Sequence, residues 1–343
     1  MSETATDTPK PIGLALQGGG AHGAFTWGVL DTLLADGRLA VEGISGTSAG
    51  AMNGTMVAEG LMRGGTEGAR ESLDRFWGRI AQSGRFGPFA RTPFDAMCTP
   101  WSLERTPGYI LFDAVSRYLS PYQFNPLNLN PLLDILEQDV DFDAVRHCDA
   151  VKLFVSATSV RSGKIRVFEG AELTPQAVMA SAALPQVFQA VEVEGEPFWD
   201  GGYMGNPAIF PLIYNCEARD ILLVQVNPIE RADTPRTMPE IQDRLNEITF
   251  NATLMREMRA IAFVTDLLDS HAIDSHKYKR LRLHRIDVPA DMAALDVSTK
   301  FNAERPFLDH LRALGHQAAR DWLDAHAGDV GHRDTIDIAT DYL

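Results

Sequence analysis

Gly46-Thr47-Ser48-Ala49-Gly50 sets a serine between residues small enough for a sharp strand-to-helix turn that exposes its hydroxyl. A helix beginning there would point its N-terminus at the hydroxyl and favour negative charge developing on it. Earlier in the chain, Gly18-Gly19-Gly20-Ala21-His22-Gly23 makes a second glycine-rich turn. Residues without a Cβ can present successive backbone N–H groups at close range, which suits an oxyanion. A serine nucleophile needs such a cradle and also a base for its proton.

The candidate base is Asp200, in Trp199-Asp200-Gly201-Gly202-Tyr203, where Phe198 and Trp199 close a short strand before a glycine turn. A buried carboxylate beside a hydroxyl can take its proton directly once desolvation raises its basicity. Asp-Gly is also an ordinary turn pair. A histidine base would instead make an α/β-hydrolase triad, in the order Ser, Asp or Glu, then His, with several strands ahead of the serine. Here only one strand and one helix fit between the N-terminal tail and the serine's strand. His310, His316 and His326 lie on helical patterns, and His332 on a polar tail.

Two readings without a nucleophile stay open. Residues 18–23 satisfy the G-x-G-x-x-G of dinucleotide-binding turns, and Glu42 has roughly the spacing of a ribose ligand. Glu42, however, opens its strand rather than closing it. Ala24 and Phe25 stand where a phosphate loop of the Walker type needs Lys and Ser or Thr. The other reading is a lipid-binding module that keeps the fold without turnover.

These groups need elements to hold them. The apolar run 12–17 ends in the glycines and reads as a buried strand. Phe25, Val29, Leu30, Leu33 and Leu34 then recur at helical spacing as far as Gly37, a C-cap. Residues 41–45 read as a second strand and 48–61 as a small-residue helix. Strand, helix, strand, helix is the pattern of a parallel sheet covered on both faces. Its first two strand-to-helix turns fall at one edge, so the glycine cradle and the serine converge. Strands are expected again at 151–157, 164–168 and 220–226. Thr174 caps a helix opened by Pro175 and running over 176–183. Long helical patterns occupy about 238–271 and 303–326.

The expected fold is α/β, a mainly parallel sheet sandwiched by helices, with a helical C-terminal region. Its parts are a disordered lead-in (1–11), a catalytic domain (12–226), the helical region (227–327) and an acidic tail (328–343). An insertion near 76–124 holds 11 of the 29 aromatic residues with five prolines interleaved, and reads as a lid or binding wall. Residues 276–285 form a basic island, read as a charged edge strand with Leu281 and Leu283 inward, or as a contact for anionic lipid headgroups.

Composition narrows the function. Among 343 residues, 45% are apolar and 22% charged, unlike disordered chains or coiled coils. Lys plus Arg number 31 against 46 for Asp plus Glu, and a net charge of −15 argues against nucleic acid as a partner. Cys98, Cys148 and Cys216 are far apart and lack metal-ligand spacing, which suits a reducing compartment. The first ten residues lack the pattern of a secretory signal. The uncharged stretch 11–30 contains six glycines and reads as strand, turn and helix rather than a membrane span. A cytoplasmic location, with peripheral contact at a membrane surface, is the expectation. The sequence sets no oligomeric state.

Three motifs in order resemble the patatin-like phospholipases: G-G-G-x-x-G at 18–23, G-x-S-x-G at 46–50 and D-G-G at 200–202. Ser181-Ala182-Ala183-Leu184-Pro185 and Asn206-Pro207 also look like that family's flanking segments, and the resemblance covers roughly 12–226. It implies a catalytic dyad with Ser48 as nucleophile and Asp200 as base. Backbone N–H groups of Gly18, Gly19, Gly20 and Ala21 would form the oxyanion hole. His22, Gly23, Gly46, Gly50, Gly201 and Gly202 would support the motifs, with no cofactor and no metal. The implied activity is hydrolysis of lipid or other acyl esters, contributing to lipid catabolism. One position departs: His22 stands where the family has Arg or Lys. A weaker cation that titrates near neutrality is expected to influence the acidic limb of the pH–rate profile.

Overall fold

The computed structural model of the chain describes residues 8–85, 89–92, 95, 100–231 and 233–343. Residues 1–7 of the expected lead-in, together with Phe86, Phe94 and Cys98, lie outside the described residues.

Successive side chains of a strand point to opposite faces, so a strand apolar at every position must be covered twice. β1 (Lys10–Leu16) does this: Ile12, Leu14 and Leu16 enter one core cluster while Ala15 enters another. β2 (Leu39–Gly46), β3 (Lys152–Ser159), β4 (Ile165–Glu169), β5 (Val191–Val193), β6 (Glu196–Asp200), β7 (Asp220–Gln225) and β8 (Arg282–Asp287) complete an eight-stranded sheet. Its order is β5-β6-β3-β2-β1-β7-β8, with β4 paired to β3 off this path. β3 and β7 split their apolar residues between the same two clusters. The pairs β1/β2, β1/β7, β2/β3 and β7/β8 are parallel. β4, β5 and β6 pair antiparallel at the β3 end of the sheet.

α1 (Gly23–Asp36) stops at Gly37, whose φ of 75° is left-handed and whose N–H returns to the Leu33 carbonyl. α2 (Ala49–Gly84) runs well past the expected end at 61. Gly64 and Gly65 leave helical geometry, which broke the periodicity, but the chain resumes its helix behind them. Phe76 and Trp77 are therefore core residues of α2, not the start of a lid. Trp77 stacks on Trp27 and donates from Nε1 to Asn53 Oδ1 at 2.9 Å.

The residues after 226 join the same body. β8 extends the sheet beside β7 as an edge strand, with Leu281 and Leu283 buried. The helix Arg305–His326 crosses α1 where Gly28 and Gly315 let backbones touch: a Cβ on either would overlap the Arg312 or Phe25 carbonyl. Asp31 on α1 meets Arg70 of α2 and both Arg312 and His316 of that helix. At the C-terminus, Tyr342 is buried and donates to Gln225 Oε1 at 2.8 Å.

Candidate active site

Ser48 sits between β2 and α2 with φ 54° and ψ −122°. For a residue with a side chain that geometry costs on the order of 1–3 kcal/mol and persists only when neighbours enforce it. They do so through glycine. A Cβ on Gly46 would stand 2.5 Å from the Gly50 carbonyl oxygen, and one on Gly50 would overlap the Leu16 carbonyl. Thr47 beside it donates to the Gly205 carbonyl at 2.6 Å and meets Ser156 Oγ at 2.6 Å. The turn therefore cannot relax without moving β1 and β3.

Asp200 ends β6, opposite Ala157 of β3. Its N–H donates to the Ala183 carbonyl and its own carbonyl accepts from Thr158 Oγ1, each at 2.9 Å. The Gly202 N–H donates to Oδ1 at 2.7 Å. Oδ2 is buried with no hydrogen-bond partner among the described residues. Burial pushes the carboxyl up to about 7, against the opposing pull of the Gly202 N–H and the adjoining Ser48 hydroxyl. The following glycines are required by space: a Cβ on Gly201 would overlap the Ser156 carbonyl, and one on Gly202 the Phe250 ring.

Ser181 joins the two loops, a role that residue type and spacing did not reveal. Its Oγ accepts the Ser48 N–H at 2.9 Å and its carbonyl accepts the Gly201 N–H at 3.1 Å. The only sequence signal was its place in the flanking segment 181–185.

The glycine loop differs in part from its expected role. Gly18 donates its N–H to Asn206 Oδ1 at 2.7 Å, so that group is committed. The N–H groups of Gly19 and Gly20 make no hydrogen bond among the described residues. Ala21 lies in the single 3₁₀ turn Gly20–His22, and a Cβ on Gly23 would stand 2.6 Å from that of Ala49. His22 corrects an expectation outright. Its ring is buried and its Nε2 lies 2.8 Å from Thr299 Oγ1. Thr299 gives its own proton to the Asp296 carbonyl at 2.6 Å, so His22 is the donor. Burial first, then Lys300 and Arg231, pushes its pKa down to about 3, so the ring is neutral around pH 7 rather than a weak cation.

Histidine rings elsewhere bond to Thr32, Asp143, Asp269, Asp220, Thr335 and Asp329, and none bonds Ser48 or Asp200 among the described residues. Glu42 accepts the Glu217 and Ala218 N–H groups at 2.7 Å each and Lys152 Nζ at 3.3 Å. Those bonds give it a structural employment away from the glycine loop.

Beside the loop lies an aromatic cluster. Phe112, on the helix Pro107–Ser116, meets Phe89 at 5.2 Å, Phe301 at 5.9 Å and Phe124 at 6.5 Å between ring centroids. Phe301 closes the 3₁₀ turn Val297–Phe301, which also carries Thr299 and Lys300 to the glycines.

The sequence profile of the patatin-like phospholipases matches residues 14–213, more than half of the chain. The chain belongs to the patatin-like phospholipase family. That family is described by phospholipase chemistry. No curated protein sequence matches it. Among solved structures, VipD from Legionella pneumophila is 16% identical with a TM-score of 0.43, covering 93% of this chain and 67% of VipD. ExoU, in its heterodimeric complex with SpcU from the type III secretion system of Pseudomonas aeruginosa, is 17% identical with a TM-score of 0.39. That match covers 94% of this chain and 53% of the other, so the patatin-like chain spans about half of ExoU. Among its described residues no helix is long and apolar enough to cross a membrane. Several groups that touch the motif loops, namely Asn227, Phe250, Thr299 and Lys300, fall after the matched span, as does Asn251, which bonds the neighbouring Gln17.

Proposed function

We propose that the protein hydrolyses carboxyl esters of lipids through a Ser48–Asp200 dyad. The observation that carries this reading is the buried Asp200 carboxyl beside the Ser48 hydroxyl, with Oδ2 unclaimed and a pKa raised to about 7. In the proposed cycle the Ser48 oxygen bonds to the ester carbonyl carbon while its proton passes to Asp200. The carbonyl oxygen becomes an oxyanion held by the N–H groups of Gly19 and Gly20, joined by Ala21. Collapse breaks the ester C–O bond, and the departing alcohol takes the proton from Asp200. Water then attacks the acyl-serine, giving one proton to Asp200, which returns it to Ser48 as the fatty acid leaves. Such donors act strongly because they are fixed before charge develops, each being worth about 10²–10³ in rate.

The aromatic cluster around Phe112 and Phe301 is assigned to the acyl-chain wall. Ile110, Leu111, Tyr118, Tyr122, Leu127 and Leu129, exposed on the same segment, suit contact with a lipid surface. Contribution to lipid catabolism follows from that substrate class.

The test is turnover on a panel of p-nitrophenyl acyl esters, phospholipids, lysophospholipids, glycerides and polyesters, with Ser48→Ala as control. Hydrolysis of at least one lipid ester, abolished by Ser48→Ala, is expected. Activity that survives Ser48→Ala, or none on any ester, would overturn the reading.

A further inference from the structure

The peptide group that joins Gly18 to Gly19 has two ends: its N–H belongs to Gly19 and its carbonyl to Gly18. Because a peptide is planar and trans, fixing the carbonyl fixes the direction of the N–H. Asn227 Nδ2 donates to that Gly18 carbonyl at 2.7 Å. Asn227 itself is pinned on both sides. Its backbone N–H donates to Gln17 Oε1 at 2.9 Å, and its Oδ1 accepts from Lys300 Nζ at 2.8 Å.

An asparagine amide can bind in either of two flipped orientations, and only its neighbours choose between them. An ammonium has donors and no acceptor. Lys300 therefore draws Oδ1 toward itself, and Gln17 Oε1, which accepts from Nδ2 at 3.3 Å, helps keep the NH₂ on the Gly18 side. The same residue also touches the loop with its backbone, since a Cβ on Gly20 would overlap the Lys300 carbonyl. Burial above all lowers the Lys300 pKa from its ordinary value, Glu247 and Asp243 beside it favour its charge, and Arg231 adds to the lowering. Arg231 is in turn paired to Glu247.

We infer that Lys300, acting through the Asn227 amide, is a positioning residue that aims the Gly19 N–H at the oxyanion. This rests on the dyad reading above, and it gives residues beyond the family-matched span a part in catalysis. A hydrogen bond on the carbonyl also polarises the amide and makes its N–H the better donor.

The experiment compares Lys300→Met and Lys300→Arg with the parent protein, using a soluble short-chain p-nitrophenyl ester and ¹⁵N-glycine-labelled protein. Lys300→Met is expected to lower kcat about 10- to 100-fold with KM unchanged, less than loss of a donor outright. Lys300→Arg, which still donates to Asn227 Oδ1, is expected to recover most of that loss. The Gly19 amide resonance should move in Lys300→Met and return in Lys300→Arg. Should Lys300→Met not fold, Asn227→Ser removes the amide donor to the Gly18 carbonyl while leaving the lysine, and should lower kcat and move the Gly19 resonance in the same way. A folded Lys300→Met with kcat unchanged, or a Gly19 resonance that stays put, would overturn the inference. Because the resonance does not depend on turnover, it distinguishes failure of this relay from a parent protein that hydrolyses no ester.

Discussion

A Cβ on Gly18 would stand 2.6 Å from the Cβ of Ser48 and 2.8 Å from the Thr47 carbonyl oxygen. The glycine turn after β1 thus lies directly against the serine turn after β2. The parallel pairing of those strands, in register from Leu14↔Ile44 to Leu16↔Gly46, brings the two turns together. Gly18→Ala should separate them. It is expected to cost about 1–3 kcal/mol as an overpacking change and to lower kcat at least tenfold. Thermal denaturation and ester kinetics on the same preparation check both numbers.

If the proposed dyad operates, the acidic limb of kcat/KM belongs to Asp200, which would have to be ionised to accept the Ser48 proton. With its pKa at about 7, activity should rise with pH through neutrality and level off above it. Asp200→Asn should lower kcat/KM about 10²- to 10⁴-fold and remove the limb. A pH–rate profile over pH 5–9 on a substrate with no titratable group reads this directly.

The same carboxyl affects stability in the opposite sense. Between the ordinary Asp value of 3.8 and about 7, folded Asp200 holds a proton that the unfolded chain has released. Stability contributed by that proton is fully present below the lower value and is lost as pH rises through the upper one. Asp200→Asn is therefore expected to gain stability relative to the parent as pH rises from 4 to 8. Urea denaturation at both pH values measures the difference.

His22→Gln should leave the position of the acidic limb unchanged, although the glycine motif suggested otherwise. The ring is neutral throughout the working range, and its contribution is the hydrogen bond to Thr299. An amide can replace that donor, so kcat should fall by less than tenfold. Kinetics of this variant beside Asp200→Asn separate the two groups.

Ser181→Ala takes the acceptor away from the Ser48 N–H while leaving the carbonyl that holds Gly201. A fully buried donor left unsatisfied costs about 1–3 kcal/mol, and this one, only partly buried, costs less. Because that donor sits on the strained Ser48 turn, kcat should fall with little change in KM under the proposed mechanism. Steady-state kinetics with a melting curve provide the check.

The strand-turn-helix pairs around Gly18 and Ser48 were legible because small residues and apolar runs mark them locally. The same holds for the Thr174 cap, whose Oγ1 accepts from Ala177 N at 3.1 Å. Asp200 could be proposed from its glycine turn, but not its burial, which depends on β3 and β6 meeting. The sequence pattern ends α2 too early because Gly64-Gly65 interrupts a helix that tertiary packing then continues through Leu73, Phe76 and Trp77. Asn227, Thr299 and Lys300 were invisible for a different reason. They are polar residues of ordinary type, and only the return of the chain over the glycine loop gives them a task.

The most direct measurement of the dyad is covalent labelling with a fluorophosphonate, the modified residue being located by peptide mass analysis. The account predicts a single adduct on Ser48 in the parent protein, absent in Ser48→Ala and formed at least a hundredfold more slowly in Asp200→Asn. An adduct on another residue, or an undiminished labelling rate in Asp200→Asn, would contradict it.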